Sequence, residues 1–381
     1  MRKTITIGDL GTIITGKTPP TTNKNYYGDY AVFIKPTDIS EQSKYTYETE
    51  EMYSKLAAEK YESSLIPKGA ICVPCIGTIG TKMTMAPCDC YTNQSINSIV
   101  CNENYDNEYV YYLIKNFLPG LKAYNLGTAS GREYVSKSNF EKIELVAEQD
   151  KTFQKRIGVI LSRYDSLIEN YQKQIKLLEE SAQRLYKEWF IDLRFPGHEN
   201  TKIVDGVPEG WEKKKVGDIT PIKTGKKDAN FGQVDGEFPF FTCAQEPIKS
   251  PSYSFDTSAV ILAGNGDFNV KMYRGKFEAY QRTYVLEPND VNMLYLLFFC
   301  VLENMNKLAT GASGSTIKFL TKGMIESLDL YVPTIDTLCA FNKIIEPIQR
   351  QKENLSTQIR HLTEARDRLL PKLMSGEICF N

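Results

Sequence analysis

The chain has 381 residues, of which 41% are hydrophobic and 24% charged, and these ordinary values exclude wholesale disorder. Its 46 Lys and Arg residues against 47 Asp and Glu residues give a formal charge of -1, so any basic nucleic-acid-binding surface must be local. The first residues lack an apolar core of signal-peptide length, and the longest apolar run, Met293 to Leu302, is about half of a membrane span, which together predict a cytoplasmic protein outside the membrane.

The segment before residue 150 alternates short β-rich runs with Gly and Pro turns, which predicts a compact α+β domain. A short helix is expected over Glu108 to Phe117, because its apolar residues recur at helical spacing. The expected strands lie at Ile5–Leu10, Ala31–Ile34, Ala70–Val73 and near Lys142–Val146.

The nine cysteines are an odd number without a secretory context, so we expect reduced thiols. Cys72-x-x-Cys75 followed by Cys88-x-Cys90 offers the ligand type of a structural zinc site. However, residues 70–76 are typical of a buried strand, in which Cys72 and Cys75 would point to opposite faces. We therefore expect buried thiols without a metal.

The stretch from Asp150 to Trp189 has apolar residues at alternating steps of four and three, which predicts a coiled-coil helix. The same pattern returns at the end of the chain after a shift of 184 positions, which takes Ile157 to Phe341. Two long helices with one register are expected to pair with each other. We call these positions the seam: Ile157, Leu161, Tyr164, Ile168, Tyr171, Ile175, Leu178, Ala182, Leu185 and Trp189, and Phe341, Ile345, Ile348, Lys352, Leu355, Ile359, Leu362, Arg366, Leu369 and Leu373.

The second helix is less regular than the first. Pro347 lies within its apolar pattern, so the helix either kinks there or begins near it. Lys352 and Arg366 interrupt its seam, and two explanations remain open at this point: charges that select register and orientation, or long side chains that reach solvent.

The segment after Pro196 repeats the first domain in outline. Gly217-Asp218 followed by Thr224-Gly-Lys226 resembles Gly8-Asp9 followed by Thr15-Gly-Lys17, and Tyr280-Gln281 resembles Asn93-Gln94. Residues 312–314 match 129–131, and Phe319 matches Tyr134. The order domain, helix, domain, helix indicates an internal duplication with approximate two-fold symmetry.

Such a layout would hold two similar modules at a set distance. A helix from Phe153 to Phe190 is about 57 Å long at 1.5 Å per residue, so sites on the two modules could lie about one to one and a half turns of B-DNA apart. The chain offers little for catalysis, since its two histidines are far apart in the sequence and no Walker A, G-x-G-x-x-G or Asn/Asp-Pro-Pro-aromatic motif is present.

Both modules instead contain loops rich in Lys, Arg, Gln, Asn, Thr and Ser. Arg and Lys suit phosphates or guanine edges, and Gln and Asn suit adenine edges, although each single residue has a turn or capping role as its alternative. The candidate DNA-binding residues are Lys17, Thr18, Lys35, Thr37, Thr78, Lys82, Gln94, Arg132 and Lys137 in the first module, and Lys226, Lys227, Thr242, Gln245, Asn265, Gln281, Arg282, Ser315, Lys318 and Lys322 in the second.

With these motifs the chain resembles the specificity subunit of Type I restriction-modification systems. The resemblance covers essentially the whole chain, and its strongest carriers are the helix Gln174–Phe195, the end Leu369–Ile378 and the paired Gly-Asp and Thr-Gly-Lys openings. It implies an α+β fold in which two similar α/β target recognition domains are joined by two long antiparallel coiled-coil helices, as a pseudo-two-fold internal repeat. The implied boundaries are 1–149 for the first domain, 150–195 for the central helical spacer, 196–334 for the second domain and 335–381 for the C-terminal spacer.

The resemblance further implies a non-catalytic subunit that recognises a split, asymmetric sequence in double-stranded DNA. It would bind two adenine methyltransferase subunits, which carry S-adenosylmethionine, and through the complex nuclease and translocase subunits; no cofactor is expected in this chain. The helices would form the main docking surface, with candidate residues Arg184, Tyr186, Trp189, Phe190, Arg368, Leu370 and Leu373. Two alternatives remain: a cytoplasmic coiled-coil scaffold for proteins, and a self-contained DNA-modifying enzyme.

Overall fold

The computed structural model describes residues 2–127, 133–266, 268–312, 314 and 318–378. The chain divides into two compact units, unit 1 with residues 1–173 and 355–381 and unit 2 with residues 174–354. Among the described helices, none is long and apolar enough to cross a membrane.

Unit 1 begins with a mixed α/β region. A four-stranded sheet of order β2-β8-β5-β6 lies beside a three-stranded sheet of order β4-β3-β7, and β1 pairs with β9 in an antiparallel ribbon. The strands are β1 (Arg2–Thr6), β2 (Gly11–Thr15), β3 (Tyr27–Ile34), β4 (Met52–Tyr53), β5 (Ile71–Pro74), β6 (Thr84–Met85), β7 (Tyr91–Thr92), β8 (Ile96–Cys101) and β9 (Glu144–Glu148), and the short helices are α1 (Lys55–Lys60), α2 (Asn107–Phe117) and α3 (Lys137–Glu141).

The core of unit 1 forms around helix α2, as its apolar spacing predicts. The Asp106 carboxylate accepts the Tyr109 amide at 3.1 Å and caps the helix start. Residues 109–114 are buried against strand residues of β5 and β8. Cys75, just after β5, faces this core, while Cys72 in β5 belongs to a second cluster with Ile34 and Ile96, so the two thiols lie on opposite faces as alternation predicts. The described residues contain no His, Cys, Asp and Glu group that could hold a metal ion.

Helix α4 (Lys151–Tyr186) follows β9 and continues into a π-helical turn over Lys187–Ile191. The chain leaves the helix through Leu193, whose φ of 57° is unusual for a residue with a side chain, just before Pro196. Pro196 cannot continue a helix, which agrees with the end of the helical segment shortly before it.

Unit 2 repeats the plan of unit 1 with longer strands. Its main sheet has six strands in the order β13-β18-β16-β17-β14-β15, and β12 pairs with β19 as β1 pairs with β9. The strands are β10 (Ile203–Val204), β11 (Val207–Pro208), β12 (Glu212–Lys215), β13 (Ile222–Thr224), β14 (Phe238–Phe241), β15 (Ile248–Ser250), β16 (Phe255–Ala263), β17 (Val270–Ala279), β18 (Thr283–Leu286) and β19 (Asp329–Val332), and the helices are α5 (Val216–Ile219), α6 (Leu294–Glu303), α7 (Met305–Gly311) and α8 (Lys322–Glu326).

The duplicated Gly-Asp motifs have the same structural role in both units. The Asp9 carboxylate accepts the Thr6 amide at 2.8 Å, and the Asp218 carboxylate accepts the Lys215 amide at 2.8 Å. Each carboxylate closes the first turn of a short helical segment, and the hydrogen bonds from Thr6 lower the pKa of Asp9. The repeated motif is therefore a structural cap.

Helix α9 (Ile335–Ser375) starts well before Pro347 and continues through it, so the possibility that this helix begins near Pro347 is wrong. Within each unit α4 and α9 pack in antiparallel directions. In unit 1 Ile157 and Leu161 share a core with Leu370 and Leu373, and in unit 2 Trp189 and Phe190 contact Phe341. Every predicted seam position is buried or half-buried, which confirms the seam.

The two charged seam residues form ion pairs with the opposite helix. Arg366 binds Asp165 in unit 1, and the two side chains are only 8% and 6% exposed. Lys352 Nζ lies 2.7 Å from Glu179 Oε1 in unit 2. The explanation by side chains that reach solvent is thus wrong for Arg366, and both residues have defined partners across the seam.

Candidate nucleic-acid interface

Four segments of unit 1 meet through backbone hydrogen bonds. The Lys17 amide donates to the Thr92 carbonyl oxygen at 2.9 Å, the Cys75 amide to Ser95 at 2.7 Å, and the Val135 amide to Cys75 at 2.9 Å. A Cβ on Gly16 would lie 2.1 Å from the Thr92 carbonyl oxygen, so only glycine permits this approach. We call residues 16–18, 75–78, 92–95 and 134–135 turn cluster 1.

The corresponding segments of unit 2 also meet, through one hydrogen bond that differs from those of unit 1 and two that are equivalent to them. The Gln281 amide donates to the Lys227 carbonyl oxygen at 2.9 Å, the Gly264 amide to Arg282 at 2.9 Å, and the Leu320 amide to Gly264 at 2.8 Å. A Cβ on Gly225 would lie 1.9 Å from the Ala279 carbonyl oxygen. We call residues 225–227, 264–266, 279–282 and 319–320 turn cluster 2.

The hydrogen bonds establish residue-by-residue equivalence between the two clusters. The Cys75 amide donates to Ser95, and the Cys75 carbonyl oxygen accepts the Val135 amide. Gly264 forms the same two backbone bonds, with Arg282 and Leu320. Ser95 therefore corresponds to Arg282. By the same register Gln94 corresponds to Gln281 and Tyr134 to Phe319, as the repeat in the sequence predicts. The two units therefore present different side chains on one backbone framework.

Turn cluster 1 brings several of its predicted residues together. The Thr18 hydroxyl donates to the Gln94 amide oxygen, which orients that amide, and both residues are exposed. Lys17 is exposed as well, with Nζ 3.5 Å from the Ser63 hydroxyl. Thr78, also exposed, follows Ile76, which pairs with Tyr134 at the cluster.

The other predicted residues of unit 1 are less suited to bind phosphate. Lys35 lies 2.6 Å from Glu50 and 3.2 Å from Glu51; burial opposes its charge, but these hydrogen bonds hold the pKa of Lys35 above its usual value. Its charge is therefore neutralised locally. Lys137 pairs with Glu141 at 3.7 Å. Thr37 is exposed and Lys82 half-buried, while Arg132 lies outside the described residues.

Turn cluster 2 is richer in cations. Lys226, Gln281 and Arg282 are exposed, and Lys227 Nζ lies over the Phe231 ring at 4.2 Å from its centroid. The Asn265 amide oxygen accepts the Cys243 thiol at 2.7 Å. An open pocket of about 340 Å³ lies at this cluster and is lined by Gly264, Gln281, Arg282, Tyr284, Phe319 and Leu320.

The remaining predicted residues of unit 2 lie around this cluster or on separate surface positions. The Thr242 hydroxyl accepts the Ala244 amide at 3.2 Å, which is a turn role. Gln245 and Lys318 are exposed, and Lys322 pairs with Glu326 at 3.4 Å within α8. Ser315 lies outside the described residues.

Sequence reasoning missed Phe319 and Lys271 as members of this surface. Phe319 is 44% exposed and lines the pocket, although the sequence identified it only as a marker of the repeat. Lys271 Nζ donates to the Ala244 carbonyl oxygen at 2.9 Å, and burial lowers the pKa of Lys271. The sequence signal for Phe319 was an aromatic residue next to Lys318, whereas no local sequence pattern indicated Lys271.

The expected docking residues on the helices need correction. Tyr186, Trp189 and Phe190 are buried in the core of unit 2, and Leu370 and Leu373 are buried in the core of unit 1. These side chains stabilise their own units, because helical aromatic and Leu residues at seam spacing face the nearest apolar surface. Of the expected docking residues, only Arg184 and Arg368 are exposed.

Comparisons with known proteins agree with the resemblance in the sequence. The family model described as Type I restriction modification DNA specificity domain matches residues 2–180 and 208–364. The Type I restriction enzyme MjaIX specificity subunit of Methanocaldococcus jannaschii is 26% identical over 98% of this chain and 92% of its own length. The EcoDI specificity subunit of Escherichia coli is 35% identical over 45% of this chain and 39% of its own length.

A solved structure has the same fold. The crystal structure of the Type I restriction-modification system S subunit from M. genitalium matches with a TM-score of 0.61 at 17% identity, over 98% of this chain and 96% of that one. Together with the duplicated units and their paired helices, these matches do not favour a protein-only scaffold. The chain belongs to the family of Type I restriction-modification specificity subunits, whose role is recognition of DNA sequence.

Proposed function

We propose that this chain is a non-catalytic subunit that recognises a bipartite, asymmetric site in double-stranded DNA, one half with each turn cluster. The observation that carries this proposal is the pair of equivalent backbone frameworks with different exposed side chains. Equal frameworks would approach two half-sites in the same manner, and unequal side chains would specify different bases. The proposed DNA-contacting residues are the candidate DNA-binding residues that lie in the two turn clusters.

The proposed domain organisation follows the sequence analysis. Residues 1–149 and 196–334 form the two target recognition domains, and residues 150–195 and 335–381 form the helical spacers that set the distance between half-sites. The apolar faces of the helices pack against each other and against the cores of the units, which suits a spacer role. The subunit acts in the cytoplasm, together with the DNA it recognises.

The proposed partners are two adenine methyltransferase subunits, which carry S-adenosylmethionine, and in the full complex nuclease and translocase subunits. Two equivalent arginines support binding of two copies of one partner: Arg184 and Arg368 are related by the helical repeat, and both are exposed. Charge reversal tests this role. Arg184→Glu or Arg368→Glu should each remove one methyltransferase copy from the purified complex, as counted by native mass spectrometry.

The double charge reversal should remove both copies, while Lys318→Glu, in an exposed loop of unit 2, serves as the control and should keep both. Full occupancy in all variants would show that the partner binds elsewhere.

The proposed function is tested by mapping adenine methylation in cells that express this chain with its methyltransferase, against cells with the methyltransferase alone. A split asymmetric motif that depends on this chain is the expected result. Absence of any new motif, although the two proteins are soluble and associated, would contradict the proposal. Purified chain without partners should neither cleave nor methylate DNA.

A further inference from the structure

The tips of the two turn clusters are equivalent in backbone, and their central dipeptides differ in one side chain. Each tip is a four-residue turn, closed by the Ile96 amide on the Asn93 carbonyl oxygen at 3.1 Å and by the Thr283 amide on Tyr280 at 2.8 Å. The central dipeptide is Gln94-Ser95 in unit 1 and Gln281-Arg282 in unit 2. The first position is thus shared, and the second is a short hydroxyl in one unit and a guanidinium in the other.

The second position of each tip is held firmly by the backbone. The Ser95 carbonyl oxygen accepts the Cys75 amide at 2.7 Å, and the Arg282 carbonyl oxygen accepts the Gly264 amide at 2.9 Å. A Cβ on Gly264 would lie 2.4 Å from that Arg282 oxygen, so the two segments are in close contact. A side chain that projects from such a turn loses little backbone freedom when it binds, which favours specific contacts.

The Arg282 guanidinium is available for a ligand. It is exposed and forms no ion pair or side-chain hydrogen bond with any residue in the described part of the chain. Lys322 of the same unit, in contrast, pairs with a carboxylate. Arg282 also lines the open pocket together with Gln281 and the exposed ring of Phe319.

The chemistry of this site fits a guanine. Guanine presents two acceptors, O6 and N7, in the major groove, and the planar fork of an arginine binds both at once. Exposed Lys226 beside the tip suits the adjacent phosphates. Ser95, at the equivalent place in unit 1, carries one hydroxyl on a short side chain and cannot form such a fork.

On the basis of the proposed function, we propose that Arg282 specifies a guanine in the half-site recognised by unit 2, and that Ser95 imposes no guanine requirement in the other half-site. The half-sites thus differ in at least one required base pair because of a single position in the repeat.

The test compares methylation motifs in cells that express the full chain and its methyltransferase. Arg282→Ala should relax one guanine to any base in one half of the motif and leave the other half unchanged. Ser95→Ala is the matched control at the equivalent tip and should retain every required guanine. Purified complexes should show the same result in competition with oligonucleotides substituted one base pair at a time, with discrimination at that position reduced roughly 5- to 150-fold.

Arg282→Ala could lower methylation below detection. The oligonucleotide competition still tests the proposal in that case, because even weak binding shows which bases are preferred at each position. An unchanged profile of base preferences in the variant, with uniformly lower affinity, would mean that Arg282 contacts phosphate and would overturn the inference. An unchanged motif and affinity would overturn it too. If the unsubstituted chain yields no split motif at all, the proposed function fails and this inference fails with it.

Discussion

Arg366 of α9 and Asp165 of α4 form a buried ion pair in the seam of unit 1, and the Tyr112 hydroxyl donates to the same carboxylate. The helical repeat places Gln349 and Ala182 at the equivalent positions of unit 2, where both are buried. This one pair of facing positions is therefore charged in unit 1 and uncharged in unit 2, although the helices have the same register in both units.

Arg366→Ala should destabilise unit 1 by about 3 to 5 kcal/mol, because it leaves the Asp165 carboxylate buried without its cation. The double variant Asp165→Gln with Arg366→Ala copies the residues found in unit 2 and should recover most of this loss. Chemical denaturation followed by circular dichroism measures both effects. Equal stability of the single and double variants would contradict the role assigned to the ion pair.

Glu346 predicts a pH dependence of unit 2. Hydrogen bonds from Arg274 and Tyr295 lower the pKa of Glu346 from 4.5 to about 2, and Arg274 connects β17 to α9 through this carboxylate. A carboxyl with a folded-state pKa below its unfolded-state value stabilises the fold fully above the unfolded value, and this contribution is lost as the pH falls from about 4.5 to about 2.

Glu346→Gln should therefore cost about 1.5 to 3 kcal/mol at pH 7, the range for hydrogen bonds to charged groups. The difference between the original chain and the variant should shrink below pH 4.5 and vanish near pH 2. Thermal unfolding across this range measures it. A difference that stays constant with pH would assign the effect to packing instead of charge.

Gly16→Ala and Gly225→Ala should each disrupt one turn cluster, because the added methyl group would lie about 2 Å from a carbonyl oxygen. We expect a loss of about 1 to 3 kcal/mol in stability and loss of recognition of one half-site. Gly323→Ala, where a Cβ meets open space, is the control. Binding to oligonucleotides with either half-site randomised shows which half is lost, and unaltered binding by both cluster variants would count against the clusters as readers.

Lys226→Ala should make DNA binding less dependent on salt. Each lost phosphate contact reduces the slope of log affinity against log salt by roughly 0.9. Lys223→Ala is the control nearby, since Lys223 pairs with Glu287 at 2.8 Å and its charge is already neutralised. Affinities of the purified complex at several salt concentrations give both slopes. Identical slopes for the two variants would place Lys226 outside the interface.

The sequence predicted the architecture well because repetition and heptad spacing are visible in one dimension. The seam, the helix at α2 and the equivalence of Gln94 with Gln281 are all confirmed. The partner of Arg366 was not predictable, since Asp165 lies two hundred residues earlier in the chain and is opposite only in the antiparallel pairing.

The candidate site was predicted less completely, and two residues illustrate why. Lys35 is of a residue type that suits phosphate contacts, yet Glu50 and Glu51 neutralise its charge in the folded chain. Trp189 is of a residue type that is common in docking surfaces, yet its ring packs against Phe341 in the core. Charge pairing and the choice of buried face depend on tertiary contacts, which residue type alone does not encode.

The backbone hydrogen bonds of the turn clusters have an evolutionary consequence. They join main-chain atoms of residues such as Ser95 and Arg282 to neighbouring segments, so they persist whatever side chain occupies the tip. Single substitutions at the tip can therefore alter target preference at almost no cost in folding stability. A lineage could acquire new preferences one codon at a time, with a folded protein at each step.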